Sequence, residues 1–412
     1  MGSKLAVNGG EKLMSGKKFP AWPQYGQAEA DVLLRVLNSG IWGINGKETG
    51  NFERAFAAYQ HCNHCVSMVN GSATLRNALI ACGLEEGSEV IVPPYTFLAT
   101  ATAVIEANCV PVFADIDPDT YCIDPKSVEV SITKNTKAII PVHLGGHPAQ
   151  MDKIMEIAKR HNLYVIEDSA HAHGSEFAGK RVGSLGHIGS FSFQSSKNLC
   201  SGEGGAIVTN DERLAEKCWS LANCGRAKNG AWYEHETLGG NYRLSQFQAA
   251  ILNEQLKKLD AELEKREANA AYLDKRLAEI PGIKPQARSK EVTRRAYHLY
   301  VFRYEKERYN GVSRAAFIEA LSSEGLPTSP GYTTLIYKQP FFRKNNFGPF
   351  AGWKHSNPNL NYNETVCKVA ERAAAEEACW LGQNLLLGEK KDMDDIANTI
   401  FKVYENRDDL EK

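Results

Sequence analysis

Between residues 65 and 210 the chain repeats one pattern: a short, nearly continuous apolar run, a turn, then a segment of different spacing. The runs are Cys65–Asn70, Glu89–Pro93, Val110–Ile116, Lys137–His143, Tyr164–Ser169, Gly189–Gln194 and Gly205–Thr209. Several lack the alternation of a half-exposed strand, so they read as strands covered on both faces. Ala73–Cys82, Thr96–Ala107 and Met151–His161 read as helices between them. In the last, Met151, Ile154, Met155, Ile157 and Ala158 fall on one stripe. This alternation predicts an α/β fold with a mostly parallel seven-stranded sheet flanked by helices. No such helix separates the last two runs, which are expected to form a hairpin-like or antiparallel part of the sheet.

After Ser245 the pattern changes. Ser245–Ile280 reads as one long charged helix, closed by Pro281-Gly282. A strand at Tyr297–Tyr304 follows, then helices at Ser313–Gly325, near Thr365–Leu381 and near Lys391–Glu405. A chain of 412 residues suits two or three domains. The expected division is an extended arm over 1–25, a large domain over 26–254 and a smaller C-terminal α/β domain over 255–412.

With 43% apolar and 24% charged residues the chain can bury a large core. A net charge of −1 without a basic stripe argues against nucleic acid as a partner. No apolar run reaches membrane-spanning length. Met1–Ala6 has no signal-peptide apolar region, and Ala6 breaks the myristoylation pattern, so a cytoplasmic location is expected. The ten cysteines are scattered through apolar segments and read as reduced core residues. His61-Cys62-Asn63-His64-Cys65 crowds four potential metal ligands into five residues without a second pair at zinc-site spacing. It reads as a helix-to-strand junction, and no metal is expected.

Open α/β sheets place ligands at the C-terminal ends of their strands. Asn70-Gly71-Ser72-Ala73-Thr74 follows the first run. It suits a phosphate at a helix N-terminus, or an ordinary helix cap. In Pro93-Pro94-Tyr95-Thr96-Phe97 an aromatic side chain stacks on a planar ligand or joins the core. Asp168 ends the fifth run, and His171 follows in Ser169-Ala170-His171-Ala172-His173-Gly174. An isolated lysine belongs on the surface. Lys197 instead lies between Ser192-Phe193-Gln194-Ser195-Ser196 and the tight turn Gly202-Glu203-Gly204-Gly205. A lysine amine forms a Schiff base with an aldehyde cofactor, and a carboxylate such as Asp168 keeps a pyridine nitrogen protonated. The pairing points to pyridoxal phosphate (PLP). The ordered set of phosphate loop, aromatic, aspartate, serine and lysine on successive strand ends is more specific than any member.

These segments, together with Gly240-Asn241-Tyr242-Arg243-Leu244 and Gln248-Ala249-Ala250, resemble the DegT/DnrJ family of fold type I PLP enzymes. Most of its members are sugar and cyclitol aminotransferases. The resemblance implies that Lys197 carries the cofactor as an internal aldimine and shuttles protons. It implies that Asp168 pairs with the pyridine nitrogen, Phe97 stacks on the ring and His171 lies near the ring hydroxyl. Ser72, Ala73, Thr74 and Ser192 are implied at the phosphate. Asn241 is implied to reach the phosphate of a neighbouring subunit, making a homodimer the active unit. His298 and Tyr332 are candidate substrate residues, or second-domain core. Phe19–Tyr25 resembles the start of aminohydroxybenzoate synthases and of glutamine-dependent ketocyclitol aminotransferases.

The expected activity is transfer of an amino group from L-glutamine or L-glutamate to a keto-cyclitol or keto-sugar, with pyridoxamine phosphate carrying the amine between halves. An aminohydroxybenzoate-synthase-type dehydratase is one rival. A non-catalytic PLP-fold regulatory protein is another, against which intact Lys197 and Asp168 argue.

Overall fold

The computed structural model describes residues 4–350 and 361–410. Its large sheet contains β1 (His64–Met68), β2 (Glu89–Val92), β3 (Val110–Phe113), β4 (Thr136–Ile139), β5 (Tyr164–Asp168), β6 (Ile188–Ser192) and β7 (Gly205–Thr209). These are the seven expected runs. Their spatial order is β1-β7-β6-β5-β4-β2-β3. Six strands run one way, and β7 runs against both β1 and β6, as its missing crossover helix predicted. Val90, Ile91, Ile139, Val165 and Ile166 are fully buried, which explains why these strands read as continuous apolar runs.

Helices Gly71–Ala81, Ala99–Glu106 and Met151–His161 connect strands where expected. Asn70 opens the first, its side chain accepting from Ala73 N at 2.8 Å. His61–Cys65 joins helix Lys47–Tyr59 to β1. Helix Gln246–Leu277 begins at a capping box made by Ser245 and Gln248. It contacts helices Gln27–Ser39, Lys47–Tyr59 and Lys390–Glu405, bridging the two halves of the molecule.

The C-terminal half has a second antiparallel sheet of β8 (Ile283–Pro285), β9 (Leu299–Tyr304) and β10 (Ala378–Gly382). Here one expectation fails. The segment read as a helix over Thr365–Leu381 forms helix Lys368–Arg372, a π turn at Ala373–Glu377, and then β10. The guanidinium of Arg314 draws the change together: it donates to the carbonyls of Ala373 (3.1 Å), Ala374 (2.6 Å) and Ala378 (3.0 Å). Beyond it the side chains alternate. Cys379 and Leu381 enter the C-terminal core, and Ala378 and Trp380 join the core of the large sheet.

The N-terminal residues also depart from an extended arm. Leu5 and Met14 are buried in the C-terminal core. Ala6 N and Leu13 N donate to the Glu324 carboxylate at 2.8 and 2.9 Å, and Lys402 pairs with the same carboxylate. No helix among the described residues is long and apolar enough to cross a membrane.

Candidate active site

The C-terminal ends of β1, β5 and β6, with the segment after β2, open on a cavity of about 570 Å³. Lys197, Asp168, Phe97, His171, Ser192 and Ser72 line it from the large half, and His298 and Tyr332 from the other. Residues up to 260 positions apart in sequence therefore meet at one place, at the sheet edge where an α/β fold binds ligands.

Asp168 is the last residue of β5 and is buried. Its Oδ2 accepts from Thr100 Oγ1 at 2.8 Å and its Oδ1 from Ala170 N at 3.3 Å. Burial raises the carboxyl pKa above the usual range, while these hydrogen bonds and the positive charge of Lys197 draw it back down. Lys197 is half-buried. Burial pushes its ammonium down to about 8, against the pull of Asp168. A lysine poised there holds part of its population as free amine near neutrality.

His171 accepts from Gly145 N through Nδ1 at 3.3 Å, and its ring centroid lies 4.4 Å from that of His298. Burial holds both imidazoles well below their ordinary pKa, with Lys197 adding to the effect, so both are neutral. His298 Nδ1 faces Asn198 Oδ1 at 3.2 Å, and Asn198 Nδ2 donates to Ala296 O at 2.6 Å.

The phosphate-loop candidates separate. Ser192 ends β6 against Gly71, where a Cβ would stand 2.7 Å from that of Ser192. Only glycine allows this approach. Gly205 is equally tight, since a Cβ there would meet the Asn70 carbonyl carbon at 2.6 Å. Ser72 faces the cavity. Thr74 does not line it: its Oγ1 bonds Gly71 O at 2.6 Å and Ser190 Oγ at 2.7 Å inside the fold. The Ala73 N–H is taken by Asn70 and the Thr74 N–H by Asn70 O. The first-turn N–H groups of Gly71 and Ser72 remain to face an anion.

The two aromatics after β2 also separate. Tyr95 is core, packed against Tyr121, Tyr332 and Trp380. Phe97 stands 60% exposed at the cavity. Asn241 lies elsewhere, exposed beside Asn223 and lining a separate cleft with Trp219 and Arg243. It does not enter the Lys197 cavity of its own chain.

Sequence reading missed three participants. Thr100, on the helix after β2, carries the hydrogen bond to Asp168; its i, i+4 spacing from Thr96, which precedes that helix, was a usable signal. Asn198, adjacent to Lys197, orients His298. Trp380 completes the far wall, its ring perpendicular to Tyr332 at 4.8 Å. It was hidden because its strand read as a helix.

Residues 23–368 match the DegT/DnrJ/EryC1/StrS aminotransferase family. The chain is 40% identical to an L-glutamine:2-deoxy-scyllo-inosose aminotransferase of Streptomyces kanamyceticus, over 98% of each sequence. Among solved structures, a 3-amino-5-hydroxybenzoic acid synthase superposes with a TM-score of 0.84 at 33% identity, over 95% of this chain and 99% of that one. NtdA from Bacillus subtilis, crystallised with the cofactor PMP, superposes with a TM-score of 0.79 at 28% identity, over 92% and 82%. The fold is the fold type I arrangement of these enzymes, and the chain belongs to the DegT/DnrJ/EryC1/StrS aminotransferase family.

Proposed function

We propose that this aminotransferase uses PLP to move the amino group of L-glutamine, or of L-glutamate, to a keto-cyclitol such as 2-deoxy-scyllo-inosose or to a related keto-sugar. The observation that carries the reading is the meeting of Lys197 and Asp168 in one cavity, with Phe97 exposed at its wall. The full-length likeness to a glutamine-dependent inosose aminotransferase supports the donor and the acceptor class.

The residues fit the cofactor. Asp168 is a buried carboxylate held by a hydroxyl and an amide, with its pKa raised, so a protonated ring nitrogen beside it satisfies its charge. Phe97 offers an exposed face for a planar ring. Ser192, Ser72 and the first-turn amides after Asn70 form a cradle suited to phosphate. His171, neutral and on the cavity wall, would serve as the partner of a ring hydroxyl.

Bound PLP supplies an aldehyde for amine capture and a ring that accepts the electron pair released at the amine-bearing carbon. Asp168 would hold a proton on the ring nitrogen. With the cofactor bound, Lys197 Nζ would be the group that takes the proton from the α-carbon of glutamine, and in the acceptor half it would return a proton to the substrate carbon. His298, Tyr332 and Trp380 form the cavity wall opposite the large half and suit a polyhydroxylated ring.

The active unit is a homodimer on this reading. Asn241 is turned away from its own cavity, and the neighbouring surface exposes Trp232, Tyr233 and Leu238. Helix Gln27–Ser39 and the segment after it expose Leu34, Leu37, Ile41, Trp42 and Ile44. A second copy covering these faces brings Asn241 to the partner's phosphate cradle. Residues 26–254 then act as the cofactor domain and 255–412 as the substrate-side domain, in a cytoplasmic enzyme.

The test is an absorbance spectrum before and after L-glutamine, followed by transfer of α-¹⁵N from glutamine into a cyclitol amine read by mass spectrometry. A yellow protein bleached by glutamine, with label in the product, is the expected result. A yellow protein indifferent to both glutamine and glutamate that eliminates water from a cyclic amino-ketone would establish the dehydratase alternative.

A further inference from the structure

Lys197 lies in the loop between β6 and β7, directly after the carbonyls of Ser195 and Ser196. Each is held from another part of the chain. The indole N–H of Trp22, in the N-terminal segment, donates to Ser195 O at 3.0 Å. The amide of Gln383, at the turn after β10, donates to Ser196 O at 2.6 Å. Both donors are braced. The guanidinium of Arg266, fully buried and paired with Glu262 at 3.1 Å, sits 5.0 Å from the centre of the Trp22 ring. Gln383 is 4% exposed, and its neighbour Asn384 donates to Pro20 O at 2.9 Å, tying the turn to the N-terminal segment two residues before Trp22.

We propose that Trp22 and Gln383 are positioning residues for Lys197: they hold the two peptide groups that precede it and so fix its amine relative to Asp168. The site lysine of the large half is then set by the N-terminal segment and the C-terminal half. Displacing a reacting group by about 1 Å can cost a hundredfold in rate, so anchoring at two successive carbonyls has kinetic weight. Neither residue is among those lining the Lys197 cavity. The inference rests on Lys197 being the cofactor-bearing amine.

The variants are Trp22→Phe, which keeps the ring over Arg266 and removes the N–H, and Gln383→Met, which keeps the volume and removes the donor. Two readouts separate position from folding. One is the rate at which the full-length, cofactor-stripped chain captures PLP, followed by stopped-flow absorbance across pH 6 to 9. The other is the split of kcat and KM for L-glutamine in the loaded enzyme. Each variant is expected to lower kcat and the capture rate about tenfold, with KM within twofold and the thermal midpoint unchanged within about 2 °C. Gln383→Asn, whose amide is too short to reach, should behave like Gln383→Met. Capture and kcat within twofold of the parent in both variants would overturn the proposal while leaving the aminotransferase reading intact. So would a rise in KM with capture unchanged. Failure of the parent itself to capture PLP would overturn both.

Discussion

The two walls of the Lys197 cavity are built by different rules. The large-half wall consists of strand ends and one capped helix. Asp168 and Ser192 are terminal residues of parallel strands, and their positions follow from the sheet register. The opposite wall consists of side chains sent from elsewhere: His298 just before β9, Tyr332 from a loop and Trp380 from β10. A wall made of backbone termini gives one fixed geometry. A wall made of side chains on a small antiparallel sheet changes with single substitutions. On the proposed function the first serves chemistry common to donor and acceptor, and the second tells them apart.

Lys197→Ala breaks the first wall most severely. Turnover should fall at least about 10⁴-fold with far-ultraviolet circular dichroism unchanged. Retained turnover would remove the basis for assigning chemistry to this wall. Asp168→Asn should cost about 10²- to 10³-fold, equally in the glutamine and acceptor half-reactions, because both depend on the same proton. Single-turnover rates for each half provide the check, and an effect confined to one half would erase the distinction between walls.

The rigid wall also carries a weakness to acid. His173 packs between Phe191 and Phe193, and burial pushes its pKa down to about 3 from the ordinary 6.5. The unfolded chain therefore binds this proton below pH 6.5 while the folded chain refuses it until about pH 3. Stability is full above pH 6.5 and declines as pH falls, by about 2 kcal/mol at pH 5 from this group. His173→Phe should flatten the fall of the thermal midpoint between pH 6.5 and 4; an unchanged slope would assign it to other groups. The smallest effect belongs to the second wall. Tyr332→Phe should raise the acceptor KM about tenfold and leave the glutamine half-reaction within about twofold. Equal effects on both substrates would place Tyr332 outside acceptor selection.

The contrast between walls also explains what the sequence made legible. Strands buried on both faces write themselves as unbroken apolar runs, so β1 to β7 and the residues at their ends stood out, Asp168 and Ser192 among them. Helix Met151–His161 was readable to the residue because its stripe faces a single core. The helix expected to reach Leu381 failed because Ala373-Ala374-Ala375 is strong helix-former sequence that does stay helical, in a π turn, while the distant Arg314 takes the carbonyls of Ala373, Ala374 and Ala378 where the chain passes into β10. The family resemblance implies Thr74 at the phosphate. Its hydroxyl turns inward because Ser190, 116 positions later, offers a partner at 2.7 Å. Such outcomes depend on contacts between distant residues, which a linear pattern does not encode.

One feature of the large sheet bears on the order of events in turnover. Because β7 runs back alongside β6, the Lys197 loop is a hairpin pinned at both ends, by Phe193 N to Gly204 O at 2.8 Å and Ser195 N to Gly202 O at 2.9 Å. An amine on so short a tether serves one spot. On the proposed function, two compounds that must each meet it take turns, and the first product leaves before the second compound enters. Initial-rate plots at several fixed acceptor concentrations should then form parallel lines, and either compound in excess should slow turnover by occupying the form meant for the other.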